Sequence, residues 1–572
     1  MVSLNGNPFF LSDDAAAWVE ETIGRMTTRE KICQLFMDPL LNMDEEQLLK
    51  FLQAYPLGGA PFRTMPVGNE RGQELIARMQ RAGKIPMFFA GNNEAGANGT
   101  LRGGTLVASG SAVRATRCPE DAYQVGRISA KEIAAVGYNC NWGPVGDVLL
   151  NWRNTLINTR AYGPDAVYVS QCVAAFSRGC LENGVLPCLK HFPGDGYEER
   201  DQHLVIGYNG LSCEEWDAAF GKVYASAIAG GVPMIMAAHF ILPAYQRRFN
   251  PGLKDEDMQP ACTSPELIGG LLRGQLGYNG IIVTDQTMMM GYYGMRRTDA
   301  LVQTIAVGCD MILGVNNMEE DYQAVLAGVE DGRISQERLH DALARILAGK
   351  AMLGLHKKEF SAKKERLACI GCPEHREAAR DISDRAITLV KDKPGILPLR
   401  PEAGKKLGYV LLQKQSGSPM TLLGKGVASG GDSGVKDAIV EALTSAGFDP
   451  EELPGGRVKG VEGFTARMGE RYSAVCIFAD MTGFAQANHM QLEWDGPMSA
   501  RYPWYVHEVP TVFISLNYTN HLHDVPRVPV FINAYNDQPE TIRQVVDKLT
   551  GKSEFQGRYD DLVWCNGWDT RF

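Results

Sequence analysis

Short apolar runs, spaced between amphipathic helical stretches, constrain this chain more than any other feature. They include Pro86-Met87-Phe88-Phe89-Ala90, Asn139 to Val145, Leu186 to Lys190, Pro233 to His239, Ile281 to Asp285 and Met311 to Gly314. Between them lie helical patterns such as Asp121 to Val136 and Glu214 to Ala229. A strand apolar on both faces belongs in a parallel sheet covered on both sides. Two further runs near Gln34-Leu35-Phe36 and Gly58 to Phe62 bring the number to eight, and eight strands over about 350 residues fit a closed (β/α)8 barrel. An open doubly wound sheet is the competing geometry, but no glycine-rich phosphate turn follows the first strand.

The helical stretches Glu319 to Glu330 and Ser335 to Leu353 are expected to close the barrel, with apolar residues at helical spacing (Leu339, Leu343, Ile346, Leu347). A charged stretch from His356 to Arg366 reads as a linker. Beyond it come a helix from Glu374 to about Ser383 and five more strand runs: 386–390, 408–412, 474–479, 511–515 and 528–532. The expected organisation is therefore α/β throughout. A TIM-type barrel covers residues 1–355, a linker 356–385, and a smaller C-terminal α/β sandwich domain 386–572.

Composition narrows the partners. With a formal net charge of -10 the chain is not built to hold nucleic acid or an anionic membrane. The N-terminus lacks the basic start and apolar core of a signal peptide, and no run approaches a membrane span. Thirteen scattered cysteines, an odd number, suit reduced thiols in a cytoplasmic protein better than a disulfide framework. Cys369-Ile370-Gly371-Cys372, with His375 nearby, is half a zinc pattern without a second cysteine pair. No metal and no cofactor is expected, and the oligomeric state is not legible.

Chemistry concentrates at strand ends. Lys190-His191 closes one apolar run, a Pro193-Gly194 turn follows, and the loop beyond carries Asp201-Gln202-His203. An imidazole two residues from a carboxylate is a tunable proton donor. A separate carboxylate, Asp285, ends the run Gly280 to Thr284. Groups of this kind at strand ends are what the catalytic rim of a barrel enzyme requires. Taken singly, each has a plainer reading. A strand-end Asp is usually a cap, a loop His is usually solvated, and His239 is as readily a hydrogen-bonded rim residue as a ligand. Asp147 divides evenly between rim support and substrate contact, and Glu94 fits a turn cap.

Several motifs, in order, resemble glycoside hydrolase family 3, and within it the β-N-acetylglucosaminidase branch. They are Asn141-Trp142-Gly143-Pro144-Val145-Gly146-Asp147, Asn158-Thr159-Arg160-Ala161-Tyr162-Gly163, Lys190-His191-Phe192-Pro193-Gly194, Asp201-Gln202-His203, the run Leu276 to Asp285, and Ala386 to Val390 with Leu397-Pro398-Leu399. The resemblance covers most of residues 15–400. The segment Asn92-Asn93-Glu94-Ala95-Gly96-Ala97 departs from the family's Asp-x-Glu-Gly-Gly-Arg, losing a charge and an arginine. The family's His-Gly-Asp-Thr is Asp195-Gly196-Tyr197-Glu198 here.

The resemblance implies a retaining exo-β-glycosidase acting on an amino-sugar oligosaccharide or glycoside. Asp285 would be the nucleophile and the His203–Asp201 dyad the acid/base. Lys190, His191, Arg160, Asn92, Asp147 and His239 would contact the substrate. Asp285 must be ionised, and Arg160 and Lys190 are the expected cause. Three alternatives stay open. One is a β-glucosidase drawing its acid from Glu493 or Glu508, with Asp195, Glu198 and Glu199 as nearer carboxylic candidates. The second is a glycoside phosphorylase. The third is a non-catalytic sugar-binding barrel.

Overall fold

The computed structural model describes residues 2–38, 40, 43–62, 66–415, 434–453, 467–482, 491–494, 501–559 and 570. The chain divides into two compact units. One comprises residues 1–106, 122–149 and 161–376, and the other 107–121, 150–160 and 377–572.

The first unit is an eight-stranded parallel barrel. Its strands are β1 (Phe36–Met37), β2 (Gly59–Pro61), β3 (Phe88–Gly91), β4 (Cys140–Asn141), β5 (Leu186–Phe192), β7 (Met234–Ala237), β9 (Ile281–Thr284) and β10 (Ile312–Leu313). Each pairs with the next in chain order, β10 pairs back to β1, and a Val283–Met311 bridge joins β9 to β10. All eight apolar runs thus become barrel strands. Two further two-residue strands, β6 (Gly207–Tyr208) and β8 (Phe240–Ile241), pair with each other outside the barrel sheet.

The strands are apolar on both faces because barrel interior and helices cover them; every residue of β3, β5, β7 and β9 is buried. Chain approach is close where β2 begins. A Cβ on Gly58 would lie 2.0 Å from the Gln34 carbonyl oxygen, so only glycine fits. Helix starts follow their caps. Ser12 caps Asp13–Arg25, and Thr27 and Glu30 form a reciprocal capping box opening Thr28–Cys33. The expected helix 214–229 is interrupted by a π turn at Asp217–Gly221, where Gly221 lies against the Trp216 ring. The helices Met318–Glu330 and Gln336–Met352 follow β10. Among the described residues no helix is long and apolar enough to cross a membrane.

The stretch 356–385, read as a linker, carries the 3₁₀ turn Lys364–Cys369 and most of the helix Pro373–Ala386. Glu132, buried in the first unit, fastens it there. Its carboxylate accepts from Gly371 N–H at 3.0 Å and His375 Nδ1 at 2.7 Å, besides both donors of Thr105. Burial opposes its charge, and these bonds hold its pKa below the ordinary value.

The second unit is built on a six-stranded sheet. Its strands are β11 (Thr388–Asp392), β12 (Lys406–Gln415), β13 (Pro450–Glu452), β14 (Tyr472–Thr482), β15 (Thr511–Ser515) and β16 (Val530–Asn533), in the order β11-β16-β15-β14-β12-β13. Among the described strands only the β11–β16 pair is antiparallel. Alternate residues feed two cores, one on each face. Leu407, Tyr409, Ala474, Cys476 and Phe478 pack with the helices Val435–Ser445 and Pro539–Leu549. Val410, Leu412, Val475, Ile477 and Ala479 pack with Met468, Tyr505 and Val509. This period-two division makes the α/β sandwich.

Candidate active site

β5 carries the first part of the site. The Lys190–His191 peptide is cis, as are Gly143–Pro144 and Phe192–Pro193. Pairing of β5 with β7 shifts register between Leu189 and Phe192, where the strand bends at the rim. Phe192 packs edge-on to Tyr224 and Trp216, and the Trp216 indole N–H holds the Pro193 carbonyl at 2.8 Å. Gly194 (φ 130°) is required next, since a Cβ there would lie 2.2 Å from the Phe220 ring.

Lys190 Nζ donates to Asn92 Oδ1 at 3.0 Å and pairs with Glu94 at 2.8 Å. The Lys190 side chain is almost wholly buried, whereas Asn92 is exposed. Glu94 thus pairs with a lysine rather than merely ending a turn. His191 Nδ1 lies 2.7 Å from Asp147 Oδ2, which leaves Nε2 as its outer nitrogen. Asp147 also accepts from the backbone N–H groups of His191 (3.2 Å) and Asp195 (2.8 Å). It is fully buried with both oxygens engaged, the position of a group that orients its neighbours.

Removing the Asp147 carboxylate leaves these buried donors without an acceptor, at about 1–3 kcal/mol each. Asp147→Ala is therefore expected to destabilise the protein by about 3 kcal/mol or more, read from the urea midpoint. An unchanged midpoint contradicts this positioning role.

Asp285 follows β9 directly and its N–H is fixed to the Ala237 carbonyl at 2.7 Å. Oδ1 accepts from Gln286 N–H at 2.7 Å and Oδ2 from the Gln202 amide at 3.1 Å. Burial acts to raise this carboxyl. The imidazoles of His191, His239 and His203, with the Gln286 N–H, outweigh it and hold the group below its ordinary 3.8. The imidazoles thus take the part expected of Arg160 and Lys190. His239 has its own pKa lowered by burial, so near neutrality it is uncharged and the Gln286 and Gln202 N–H groups remain as donors.

Asp201 and His203 form a dyad, with Nδ1 2.7 Å and backbone N 2.8 Å from Asp201 Oδ1. Asp201 is buried, while the His203 side chain keeps 19% exposure, enough for a substrate atom to reach it. Gln202 between them joins the loop to the rest of the site. Its amide N–H meets Asp285, its Oε1 accepts from His239 N–H at 2.9 Å, and its carbonyl accepts from Gly291 N–H at 3.1 Å. Sequence reasoning missed Gln202, because nothing separates a glutamine between two catalytic candidates from a spacer until its partners are known.

His239 is fully buried. Nε2 lies 3.1 Å from the Gln286 carbonyl and Nδ1 3.3 Å from Cys262 Sγ, and burial raises that thiol's pKa well above ordinary. The imidazole therefore donates from Nε2 and accepts the S–H at Nδ1, with neither nitrogen spare. Arg160 is half-buried in the segment 150–160, which packs with the second compact unit, and Nη1 reaches the Leu156 carbonyl at 3.4 Å.

The carboxylic alternatives differ in placement. Asp195 is buried and accepts from Gly196 N–H, while Glu198 is engaged by Arg200 and two backbone N–H groups. Glu199, Glu493 and Glu508 are exposed.

The sequence model described as "Glycosyl hydrolase family 3 N terminal domain" matches residues 27–348. A Cellulomonas fimi protein named beta-N-acetylglucosaminidase/beta-glucosidase is 37% identical over all of both chains. A solved β-glucoside phosphorylase is 34% identical, with a TM-score of 0.89 over 97% of this chain and 98% of its own. A family 3 β-N-acetylglucosaminidase from Paenibacillus is 26% identical, with a TM-score of 0.76 over 94% of this chain and 99% of its own. On this breadth of match, together with a strand-end carboxylate set beside an imidazole dyad in a parallel barrel, the chain belongs to glycosyl hydrolase family 3.

Proposed function

We propose that this glycosidase is an exo-acting, retaining β-N-acetylglucosaminidase that releases terminal N-acetylglucosamine through an ester on Asp285. One observation carries the reading: the Gln202–Asp285 hydrogen bond ties the carboxylate to the loop that bears Asp201 and His203. Nucleophile and proton donor are thereby held in one network.

In the first step an Asp285 oxygen attacks the anomeric carbon as the bond to the leaving oxygen breaks. The His203 imidazolium gives its Nε2 proton to that oxygen. Asp201, on Nδ1, fixes the ring and stabilises its cationic form. In the second step neutral Nε2 takes a proton from water as the water oxygen displaces Asp285, and two inversions give net retention. Lys190, Asn92, Glu94 and the outer nitrogen of His191 are assigned to substrate hydroxyls. Asp147, Gln202 and His239 position them. The amino-sugar assignment draws on the names of the Cellulomonas and Paenibacillus relatives.

A second acceptor, phosphate, is favoured by a specific feature. The imidazole that replaces a carboxylic acid carries no negative charge to repel an anion, and a relative at 34% identity is titled a phosphorylase. The test is turnover of 4-nitrophenyl β-N-acetylglucosaminide and β-glucoside, with and without phosphate. The proposal expects the amino-sugar substrate to have the higher kcat/KM. A sugar 1-phosphate product formed faster than free sugar identifies phosphate as the acceptor. Turnover of the glucoside alone contradicts the amino-sugar assignment.

A further inference from the structure

The proton donor determines where the departing group lies. The leaving oxygen must sit at His203 Nε2, so whatever it carries extends over the loops next to that ring. Leu204 and Val205 follow His203 in the chain. The loop after Asp285 packs on them, with Met290 N–H to the His203 carbonyl and Gly291 N–H to the Gln202 carbonyl, both at 3.1 Å. A Cβ on Gly291 would lie 2.5 Å from the Gln202 carbonyl oxygen and 2.8 Å from that of Val205, which shows how closely the two loops meet. Around this junction Leu204, Val205, Met288, Met290 and Tyr293 are between 37% and 58% exposed. Single exposed apolar residues need no explanation, but five on two loops joined at the proton donor form a patch.

We propose that Leu204, Val205, Met288, Met290 and Tyr293 form the subsite for the departing group, and that this group is an apolar alkyl or aryl aglycone rather than a second sugar. The proposal rests on the assignment of Asp285 and His203 above. A second sugar calls for several placed polar side chains, and the patch supplies one, the Tyr293 hydroxyl. Methionine side chains, unbranched and polarizable, adapt to apolar groups of varied shape.

The test uses the full-length protein. N-acetylglucosaminyl and glucosyl fluorides, which carry no aglycone, first establish turnover and the preferred sugar. A series of n-alkyl β-glycosides of that sugar, methyl to octyl, then varies apolar area with nearly constant leaving ability. The expected result is a rise in kcat/KM of ~2- to 4-fold per methylene, the upper figure being complete burial of a CH₂. The double variant M288Q/M290Q is expected to at least halve the logarithmic slope, read as a ratio within the variant. A flat wild-type series, a slope unchanged in the variant, or a kcat/KM for the β-linked disaccharide above that of the octyl glycoside each overturns the aglycone proposal. Failure to turn over either fluoride overturns the underlying assignment of function instead, and the subsite falls with it.

Discussion

Asp285→Ala is expected to abolish turnover of every glycoside, activated or not, with a loss on the order of 10⁴–10⁶-fold in kcat, the scale seen when a covalent nucleophile is deleted. The reason is local. The carboxylate is fixed by its own backbone bond to Ala237 and receives N–H groups from Gln286 and Gln202, so it is pre-aimed and ionised. No other described carboxylate shares these contacts. Because burial is outweighed and its pKa is held below the ordinary 3.8, the acid limb that Asp285 gives to kcat/KM is expected at lower pH than that of an ordinary aspartate. An acid limb centred above the ordinary aspartate value belongs to another group. A variant that retained wild-type kcat would remove Asp285 from the chemistry.

His203→Ala behaves differently. General acid catalysis contributes typically ~10²–10⁴-fold, and only where the leaving oxygen needs a proton. Alkyl and unsubstituted phenyl glycosides are expected to lose kcat/KM on that scale. A 2,4-dinitrophenyl glycoside, whose leaving group departs as the anion, is expected to keep kcat/KM within about 10-fold. The measurement is the dependence of log kcat/KM on leaving-group acidity, which steepens in the variant. An equal loss across the series would mean that His203 is not the acid, and would return attention to the exposed glutamates of the second unit.

Much of this was legible in the sequence, for identifiable reasons. The barrel strands were found because strands buried on both faces leave continuous apolar runs, and β5 and β9 leave long ones. The two-residue strands β6 and β8 were not, since two residues have no readable period. Residues 107–121 and 150–160 lie amid barrel sequence yet cluster with the second unit, which no local pattern reveals.

At the site, Lys190, His191, Asp201, His203 and Asp285 were visible because their chemistry is carried by residue type and by position after a strand. Their support was not. Asp147 resembles a substrate ligand until both oxygens are found on His191 and Asp195. His239 resembles a rim ligand until Cys262 and Gln286 are found on its two nitrogens. Gln202 carries no chemistry of its own, and its role lies wholly in partners distant in sequence. Electrostatic causes were likewise hidden, since arginine and lysine were the obvious cations whereas the groups that lower the Asp285 pKa are chiefly imidazoles.

The central claim is that the sugar passes through an ester on Asp285, and trapping that ester tests it most directly. A 5-fluoro glycosyl fluoride of the sugar that is turned over, which leaves the substituent at C2 in place, slows both steps and lets the ester accumulate. Proteolysis and peptide mass mapping then locate the added mass. The account predicts it on the peptide spanning β9, at Asp285. A label on any other residue, or complete inactivation with no covalent label, would contradict it.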